Sequence, residues 1–432
     1  MRIIQTGEPA FAEVFLKIRQ RGKVFDEGLW KTVQDIVADV AKKGDEALFD
    51  YTLKFDGVSL NPRTVAAGPE EIESALGSVS DEDWNVLKLA AERIEIFHRR
   101  QEITSWSLGQ EAGIELGQRI LPLERVGVYA PGGRAVYPST VLMAAIPARI
   151  AGVAEIFLVT PSKSAALHPL IAAAARLGGV TRIFKIGGAQ AIAALAYGTA
   201  SIPAVDKIVG PGNAYVATAK KLVFGQVAID MIAGPSEVLV IADEMAVAAH
   251  VAADLLAQAE HDVMASAVLL TPREELARQV AMEVAKQLPR LSRREVARQA
   301  LADFGVLIVT KDLEEAAAIA NRFAPEHLEL MVADPAALLK KVRNAGAIFL
   351  GGSTPETLGD YLAGPNHILP TSSTARFSSP LGVYDFVKRS SILDFSFQAL
   401  EKYGPAAAHF AELEGFDAHA QSVKLRLAPK KT

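Results

Sequence analysis

The sequence contains no cysteine among its 432 residues. This absence excludes disulfides, thiolate zinc sites and iron–sulfur clusters. It also excludes a thiol nucleophile, which is a common means of oxidising an aldehyde to an acid. Any transition metal ion must therefore be held by histidine, carboxylate or amide ligands.

The sequence also lacks a strong excess of charge and an uninterrupted membrane-length apolar run. Its formal net charge of −5 gives no electrostatic reason to expect nucleic acid or a membrane surface as a partner. The best candidate span, Val141 to Val159, is interrupted by Pro147, Arg149 and Glu155. The first residues do not have the basic region, apolar core and cleavage site of a signal peptide. We therefore expect a cytoplasmic protein.

What the sequence does contain is a regular alternation of apolar runs and helical patterns. The chain is too long for one core, so two or more domains are expected. From about residue 126 onward, strand-like and helix-like segments alternate, which is typical of doubly wound parallel sheets. We predict an α/β fold of two incomplete Rossmann-like, mostly parallel units with small N- and C-terminal helical extensions.

The predicted parts of the chain have soft boundaries, because no low-complexity linker separates them. We expect a docking segment at 1–25, a helical and ribbon part at 26–125 that packs with 236–380, an α/β unit at 126–235, a second at 236–380, and a C-terminal extension at 381–432. Within these parts, the apolar spacing predicts helices at Glu27–Asp56 and Ser80–Gln101, an antiparallel ribbon within Ser105–Tyr129, and helices near Ser396–Tyr403 and Ala406–Leu413.

Two glycine turns in the first α/β unit could bind phosphate. They are Pro131-Gly-Gly-Arg134 and Gly210-Pro-Gly-Asn213, each between a strand and a helix. Free N–H groups at such a helix start can hold a pyrophosphate. The unit lacks G-x-G-x-x-G, however, and glycine turns are also ordinary connectors. These turns alone leave nucleotide binding undecided.

The segment from Ala233 to Asp262 combines a Gly-Pro-Ser turn, a strand at Val238–Ala242 and an alanine-rich helix. Gln258 and His261 lie three residues apart near the end of this helix, so their side chains can face one object. A metal or substrate site is one interpretation. A solvated helix end is the other, and it is the more common of the two.

Further polar residues occur where strands or loops can bring them to a site. Glu326 and His327 are adjacent at a predicted strand start, where they could act as proton-transfer groups or as caps. His367 lies in a Gly-Pro loop, seven residues after Asp360. Gln258, His261, Asp360 and His419 together would form a nitrogen and oxygen site suited to zinc, although spacing cannot show that they meet.

Several long motifs resemble those of histidinol dehydrogenases. They are AGPSEVLVIAD, DLLAQAEHD, APEHLEL and the stretch from Gly359-Asp-Tyr to Ala363-Gly-Pro-Asn-His. The similarity extends from the N-terminal helices to the Glu414…His419 tail. Members of that family oxidise L-histidinol to L-histidine through bound L-histidinaldehyde, in two NAD-dependent steps, as zinc-dependent homodimers. The resemblance therefore implies Zn²⁺, one per subunit, and NAD⁺ as cofactors.

The resemblance also implies roles for individual residues. The zinc ligands would be Gln258, His261, Asp360 and His419, and the acid–base pair would be Glu326 and His327. Substrate would contact these ligands and His327, together with Ser236, His367 and Glu414. NAD would contact Tyr129, Gln190 and Asn213, which makes 126–235 the NAD-binding domain and 236–380 the metal and substrate domain. The C-terminal extension would reach the partner subunit, so that His419 and Glu414 act across the dimer.

One position departs from the family pattern, and three other functions remain to be weighed. Ala248 stands near a helix start where proline is expected, which should affect the beginning of the helix rather than the ligands. A related metal- and NAD-dependent dehydrogenase could act on another hydroxyl substrate, such as a sulfonated diol. A zinc hydrolase would need no nucleotide, and a non-catalytic binding protein would tolerate loss of His327.

Overall fold

The computed structural model describes residues 1–21, 26–132, 136–162 and 166–429. Part of the predicted turn Pro131–Arg134, namely Gly133 and Arg134, lies outside the described residues. The strands are β1 (Arg2–Gln5), β2 (Trp106–Glu111), β3 (Ile114–Pro122), β4 (Arg125–Tyr129), β5 (Glu155–Val159), β6 (Arg182–Phe184), β7 (Lys207–Val209), β8 (Ala228–Ile229), β9 (Glu237–Ala242), β10 (Ser266–Thr271), β11 (Gly305–Val309), β12 (His327–Met331), β13 (Ala347–Leu350) and β14 (Val387–Phe395).

The helices alternate with these strands through most of the chain. They are α1 (Pro9–Gln20), α2 (Glu27–Lys43), α3 (Asp45–Asp56), α4 (Pro69–Leu76), α5 (Asp81–His98), α6 (Pro138–Ala151), α7 (Pro169–Gly178), α8 (Gly188–Tyr197), α9 (Ala214–Val223), α10 (Ala248–Ala259), α11 (Glu274–Gln287), α12 (Arg294–Phe304), α13 (Leu313–Phe323), α14 (Pro335–Leu339), α15 (Glu356–Tyr361), α16 (Phe397–Leu413) and α17 (Asp417–Leu427). Among the described residues, none of these helices has the length and apolar character needed to cross a membrane.

The chain divides into a larger and a smaller unit. The larger unit comprises Met1–Gln101 and Leu123–Phe386, and the smaller comprises Glu102–Pro122 and Val387–Thr432. The predicted ribbon is confirmed as the antiparallel pair β2 and β3, and β14 adds a third strand to it. The C-terminal extension is therefore joined by hydrogen bonds to a segment placed with the N-terminal helices in the sequence-based division.

The larger unit contains two parallel sheets, as predicted. The first sheet has the order β6-β5-β4-β7-β8, with every pairing parallel. The second has the order β1-β11-β10-β9-β12-β13, again with parallel pairings throughout. Apart from β1, both sheets have the same order of their own strands, 3-2-1-4-5. The strands are nearly continuous apolar runs because helices cover both faces of each sheet.

The N-terminal helices pack differently from the expectation. The predicted helix Glu27–Asp56 is two helices, α2 and α3. Gly44 lies between them, and its φ of 60° ends α2. The apolar stripe of α2, including Val33 and Val40, enters the same core as Ile192 of α8 and Val216 of α9. The helical part of 26–125 therefore packs mainly against the helices of the first sheet, rather than against the segment 236–380.

The C-terminal helices also differ from the expected pair. The structure has one helix, α16, that continues through Pro405, followed by a helix α17 that the apolar spacing does not reveal. Proline removes one backbone hydrogen bond, but packing against a neighbouring helix offsets that loss. Gly404 lies directly beneath Val423 and Leu427 of α17, which supports the helix at this point.

A candidate active site at the amino end of the second sheet

The site is built around the first residues of two adjacent central strands. β9 begins at Glu237 and β12 begins at His327, and the two strands are hydrogen-bonded neighbours. The Glu326 carboxylate accepts the backbone N–H of Glu237 at 2.8 Å, and the Glu237 carboxylate accepts that of Glu326 at 3.1 Å. This reciprocal pair, which we call the carboxylate clasp, fixes the two strand starts to each other.

A buried ion pair anchors one side of the clasp. Arg21 donates to the Glu237 carboxylate at 2.9 Å, and both side chains are almost completely buried. Arg21 also donates to the carbonyl oxygens of Pro235 and Ser236, each at 3.3 Å. Burial raises the pKa of Glu237, and Arg21 opposes that shift. The Gly-Pro-Ser turn before β9, which carries Ser236, is thereby held by a charged side chain.

His327 lies among three carboxylates. Its Nδ1 atom is 3.1 Å from the carbonyl oxygen of Glu237, 3.4 Å from Glu356 Oε1 and 3.7 Å from Glu326 Oε2. Its Nε2 atom is 3.5 Å from Asp360 Oδ1 and has no hydrogen-bond partner among the described residues. A buried imidazole nitrogen without a partner is free to meet a ligand or substrate atom.

Both members of the predicted acid–base pair have shifted pKa values. Burial raises the pKa of Glu326 to about 7, and the nearby His327 opposes this shift. Burial lowers the pKa of His327, but Glu356, Glu326 and Asp360 act in the opposite direction and raise it well above the usual value. A group that titrates near neutral pH, as Glu326 does, is suited to proton transfer.

The helix α15 supplies two carboxylates one turn apart, Glu356 and Asp360. Glu356 is buried, whereas Asp360 is partly exposed at the end of the helix. Three possible ligand atoms, one each from Glu356, Asp360 and His327, lie within 4.8 Å of one another. His327, with His367 and His261, lowers the pKa of Asp360 despite the opposing effect of burial. The group has the composition of a metal site.

Gln258 lies on the other side of Glu356. It is fully buried in the last turn of α10. With its amide oriented to satisfy both side chains, Gln258 Nε2 donates to both oxygens of Glu356, at 3.0 Å from Oε2. Its Oε1 atom is then available as a ligand. His327, Glu356 and Asp360 thus share only Asp360 with the predicted ligand set, but Gln258 contacts the same cluster.

The other two predicted histidines of this unit also face Asp360. His261 follows α10 in an exposed turn. Desolvation lowers its pKa, and Asp360 opposes this shift. His367 Nδ1 is 2.8 Å from the Asp360 carbonyl oxygen.

Asn366 donates to the carbonyl oxygen of Met143 in α6 at 2.7 Å, which attaches the loop that carries His367 to the helices of the first sheet.

The predicted NAD contacts lie at the opposite, carboxyl edge of the first sheet. Tyr129 ends β4, its hydroxyl accepts the backbone N–H of Gly188 at 3.2 Å, and burial raises its pKa to about 12. Gln190 is buried in α8, and its Nε2 atom has no partner among the described residues. Asn213 caps α9 by accepting two backbone N–H groups at 3.1 Å. β4 and β7 flank the point where strand order reverses, at which open α/β sheets bind ligands.

The remaining predicted site residues belong to the smaller unit. Glu414 ends α16 and His419 lies in the first turn of α17, where its ring packs at 5.3 Å from that of Phe416. Both side chains are exposed. Within the larger unit the structure therefore brings together Gln258, His261, Glu326, His327, Asp360 and His367, with Ser236 at the edge, whereas Glu414 and His419 are not among them.

The sequence analysis missed four residues that shape the site, namely Arg21, Glu237, Glu329 and Glu356. Glu237 and Glu329 are charged residues inside apolar strand patterns, which is itself a signal, since carboxylates are seldom fully buried without a partner. Glu356 could have been found from its spacing of four residues to Asp360 on one helix. No local signal identifies Arg21.

A buried histidine among carboxylates, beside an amide and two further histidines, has the composition of an enzyme site, and three of these groups could hold a metal ion. The sequence matches the family described as histidinol dehydrogenase over residues 19–427. It is 54% identical over 427 residues to a histidinol dehydrogenase from Syntrophotalea carbinolica, covering 99% of both chains. It is also 54% identical to one from Geobacter sulfurreducens, covering 99% of this chain and 100% of that one.

A solved structure agrees with these sequence comparisons. The crystal structure of histidinol dehydrogenase from Elizabethkingia anophelis superimposes with a TM-score of 0.92 at 38% identity, covering 99% of this chain and 98% of that one. The chain belongs to the histidinol dehydrogenase family, and it is an oxidoreductase. The resemblance found in the motifs is confirmed.

Proposed function

We propose that this protein oxidises L-histidinol to L-histidine through bound L-histidinaldehyde, with Zn²⁺ and NAD⁺, in the last steps of histidine biosynthesis. The observation that carries the proposal is the buried pair of Glu326 and His327 beside Gln258 and Asp360, in a chain that belongs to this family. Two successive oxidations of one carbon need metal ligands, a site for NAD and two bases, and the chain has residues for each of these.

The residues present fit a zinc ion. Gln258, His261 and Asp360 offer an amide oxygen, an imidazole nitrogen and a carboxylate oxygen, and His419 of the partner subunit would complete four ligands. The unpartnered Nε2 atom of His327 beside Asp360 is consistent with a substrate hydroxyl at this place. When bound, zinc would orient the amino and imidazole nitrogens of histidinol.

The first sheet fits NAD. The buried Nε2 atom of Gln190 is a hydrogen-bond donor that has no acceptor in the part of the chain that the structure describes. Gly210 has a φ of 110°, and a Cβ atom there would lie 2.1 Å from the Tyr129 carbonyl oxygen, so the turn before Asn213 keeps its backbone close to β4. Tyr129, Gln190 and Asn213 lie around this carboxyl edge and would contact the dinucleotide.

His327 is the base for the first oxidation in this proposal. A hydride leaves an alcohol carbon only if the hydroxyl proton is also removed, and His327 can accept it at an imidazole nitrogen. Glu237 and Glu356 fix the ring through its Nδ1 side, so the Nε2 side faces the substrate.

Glu326 is the base for the second oxidation. Because the chain has no cysteine, the aldehyde must be oxidised as its hydrate, which requires an activated water molecule. One carboxylate oxygen of Glu326 is held by the N–H group of Glu237, which orients the other toward the site. With a pKa of about 7, Glu326 can accept a proton from water and release it to solvent within one turnover.

The substrate site is completed by residues around this pair. Ser236, His367 and Glu414 would line the histidinol side, with Glu414 and His419 contributed by the partner subunit. A homodimer with shared sites is supported by exposed apolar side chains in the smaller unit, including Leu393, Phe397 and Phe410. We further propose that the enzyme is cytoplasmic, because it draws on the intracellular NAD pool.

The product stoichiometry tests the proposal. Purified protein incubated with L-histidinol and excess NAD⁺ should form two NADH per L-histidine, and a chelator should abolish both until zinc is restored. Release of one NADH together with free aldehyde would contradict the four-electron reaction. Turnover that is indifferent to the chelator would contradict the metal.

A further inference from the structure

Glu356 is a buried carboxylate whose contact with Gln258 has no role in the proposed reaction. It is the first residue of α15, it is 3% exposed, and it does not belong to the proposed acid–base pair or zinc ligands. Among the described residues, two side chains contact its carboxylate. Both oxygens accept from the amide of Gln258, and Oε1 lies 3.4 Å from His327 Nδ1.

We propose that Glu356 is a positioning residue that orients the Gln258 amide, so that its oxygen rather than its nitrogen faces the metal. The oxygen of a side-chain amide can bind a cation, whereas its NH₂ group cannot. A rotation about the terminal torsion exchanges the positions of the two groups. A carboxylate accepts hydrogen bonds only, so Glu356 selects the Nε2 side of Gln258 for itself. This inference rests on the proposed zinc site.

The surrounding structure keeps Glu356 in place. Its backbone N–H donates to Glu329 Oε1 at 2.9 Å, which ties the start of α15 to the middle of β12. The same carboxylate faces the Nδ1 side of His327, so one side chain sets the orientation of a ligand and of the proposed base. Partners of this kind behind a metal ligand contribute about 10- to 100-fold to metal affinity or activity.

Zinc affinity, measured by competition with a chromophoric chelator on the full-length protein, provides the test. Glu356→Gln should weaken zinc binding by about tenfold or more. The matched control is Glu329→Gln, which neutralises another buried carboxylate of the same cluster but keeps a side-chain oxygen that can accept the Glu356 backbone N–H, so that Glu356 stays in place. The zinc affinity of this control should stay within about twofold of the original. Equal affinities for all three proteins would overturn the positioning role.

A double-mutant cycle separates positioning from direct ligation, because His327, Glu356 and Asp360 could themselves hold an ion. If Glu356 acts through Gln258, then Glu356→Gln should cause little further loss of zinc affinity in a Gln258→Ala background. Additive losses would show that Glu356 binds the metal itself and would overturn the inference. The visible absorption of the Co²⁺-loaded protein should change in Glu356→Gln and remain unchanged in Glu329→Gln.

A second variant covers the case in which Glu356→Gln does not fold. Glu356→Asp keeps the charge but withdraws the carboxylate from the Gln258 amide by one methylene, so zinc affinity should again fall. Full affinity in Glu356→Asp would contradict the proposal. If the unaltered protein binds no zinc, the proposed function fails at that point, whereas equal zinc binding by the unaltered protein and its Glu356 variants overturns only the positioning role.

Discussion

The two parallel sheets have the same strand order but place polar chemistry at opposite edges. In the first sheet, Tyr129 ends β4 and Asn213 follows β7, so both lie at the carboxyl edge. In the second sheet, Ser236, Glu326 and His327 lie at the starts of β9 and β12, at the amino edge. Ligands of open α/β sheets ordinarily bind at the carboxyl edge. The NAD site proposed for the first sheet follows this rule, whereas the site proposed for the second sheet departs from it.

The contents of the two edges explain the difference. The carboxyl edge of the first sheet is formed by glycine turns, such as those at Gly188 and Gly210, where φ is positive and a Cβ atom would collide with neighbouring atoms. The amino edge of the second sheet is formed by buried charged groups, including Glu237, Glu326 and Arg21. Backbone groups suit the binding of a large anionic ligand, whereas side chains with shifted pKa values suit chemistry.

The largest expected effect is at the second sheet's edge. His327→Asn should lower kcat by about 10²–10⁴-fold, because it removes the proposed base from the first oxidation. Zinc content and NAD binding should be retained, since neither depends on this ring in the proposed site. Loss of zinc from His327→Asn would instead favour His327, Glu356 and Asp360 as the ligand set.

The next largest effect is expected on only one of the two oxidations. Glu326→Gln should preserve the first hydride transfer from histidinol and slow oxidation of the aldehyde by about 10²-fold, since an amide cannot activate water. Single-turnover measurements of NADH formation, started from histidinol and separately from histidinaldehyde, would resolve the two rates. Equal losses in both steps would contradict the role assigned to Glu326.

The pH dependence should come from the second sheet alone. Glu326 acts as a carboxylate, and its pKa is raised to about 7, so its active form is lost as the pH falls through that value. The value of kcat/KM for aldehyde oxidation should therefore fall about tenfold per unit of pH below 7. NAD binding should change little over the same range. A slope for the aldehyde step that persists in Glu326→Gln would assign the pH dependence to another group.

A smaller effect is expected at the first sheet's edge. Gly210→Ala should weaken NAD binding by about tenfold and destabilise the protein by about 1–3 kcal/mol, because its Cβ atom would collide with the Tyr129 carbonyl oxygen. Gly225→Ala is the matched control, since Gly225 has a similar φ of 106° with no atom near its Cβ position. Zinc affinity should be unchanged in both. Equal NAD affinity in the two variants would show that the close approach of Gly210 to the Tyr129 carbonyl oxygen does not affect NAD binding.

The smallest expected effect concerns helix starts. α6 and α7 of the first sheet begin with Pro138 and Pro169, whereas α10 of the second begins with Ala248 and has no side-chain cap. Ala248→Pro should stabilise the protein by about 0.4–1 kcal/mol by restricting the unfolded chain. Thermal unfolding would measure this gain, with unchanged zinc affinity. A decrease in stability would show that the backbone at this position does not accept proline.

The two sheets were predictable from sequence because their buried strands are apolar runs separated by helical patterns. The helix breaks were less predictable, since Gly44 ends a helix whereas Pro405 lies inside one, and tertiary packing decides each case. The candidate ligands followed from the family motifs. The contacts of Glu356 with Gln258 and of Arg21 with Glu237 were not predictable, because they join segments far apart in the chain.

The carboxylate clasp has a consequence for how the protein matures. Glu237 and Glu326 are separated by 89 residues, and each holds the other's backbone N–H. Closing so long a loop is slow relative to forming the helices α10 to α13, which lie between the two residues in the sequence. We therefore expect catalytic competence to arise late in folding, so that an incompletely folded chain does not oxidise substrate and release a reactive aldehyde.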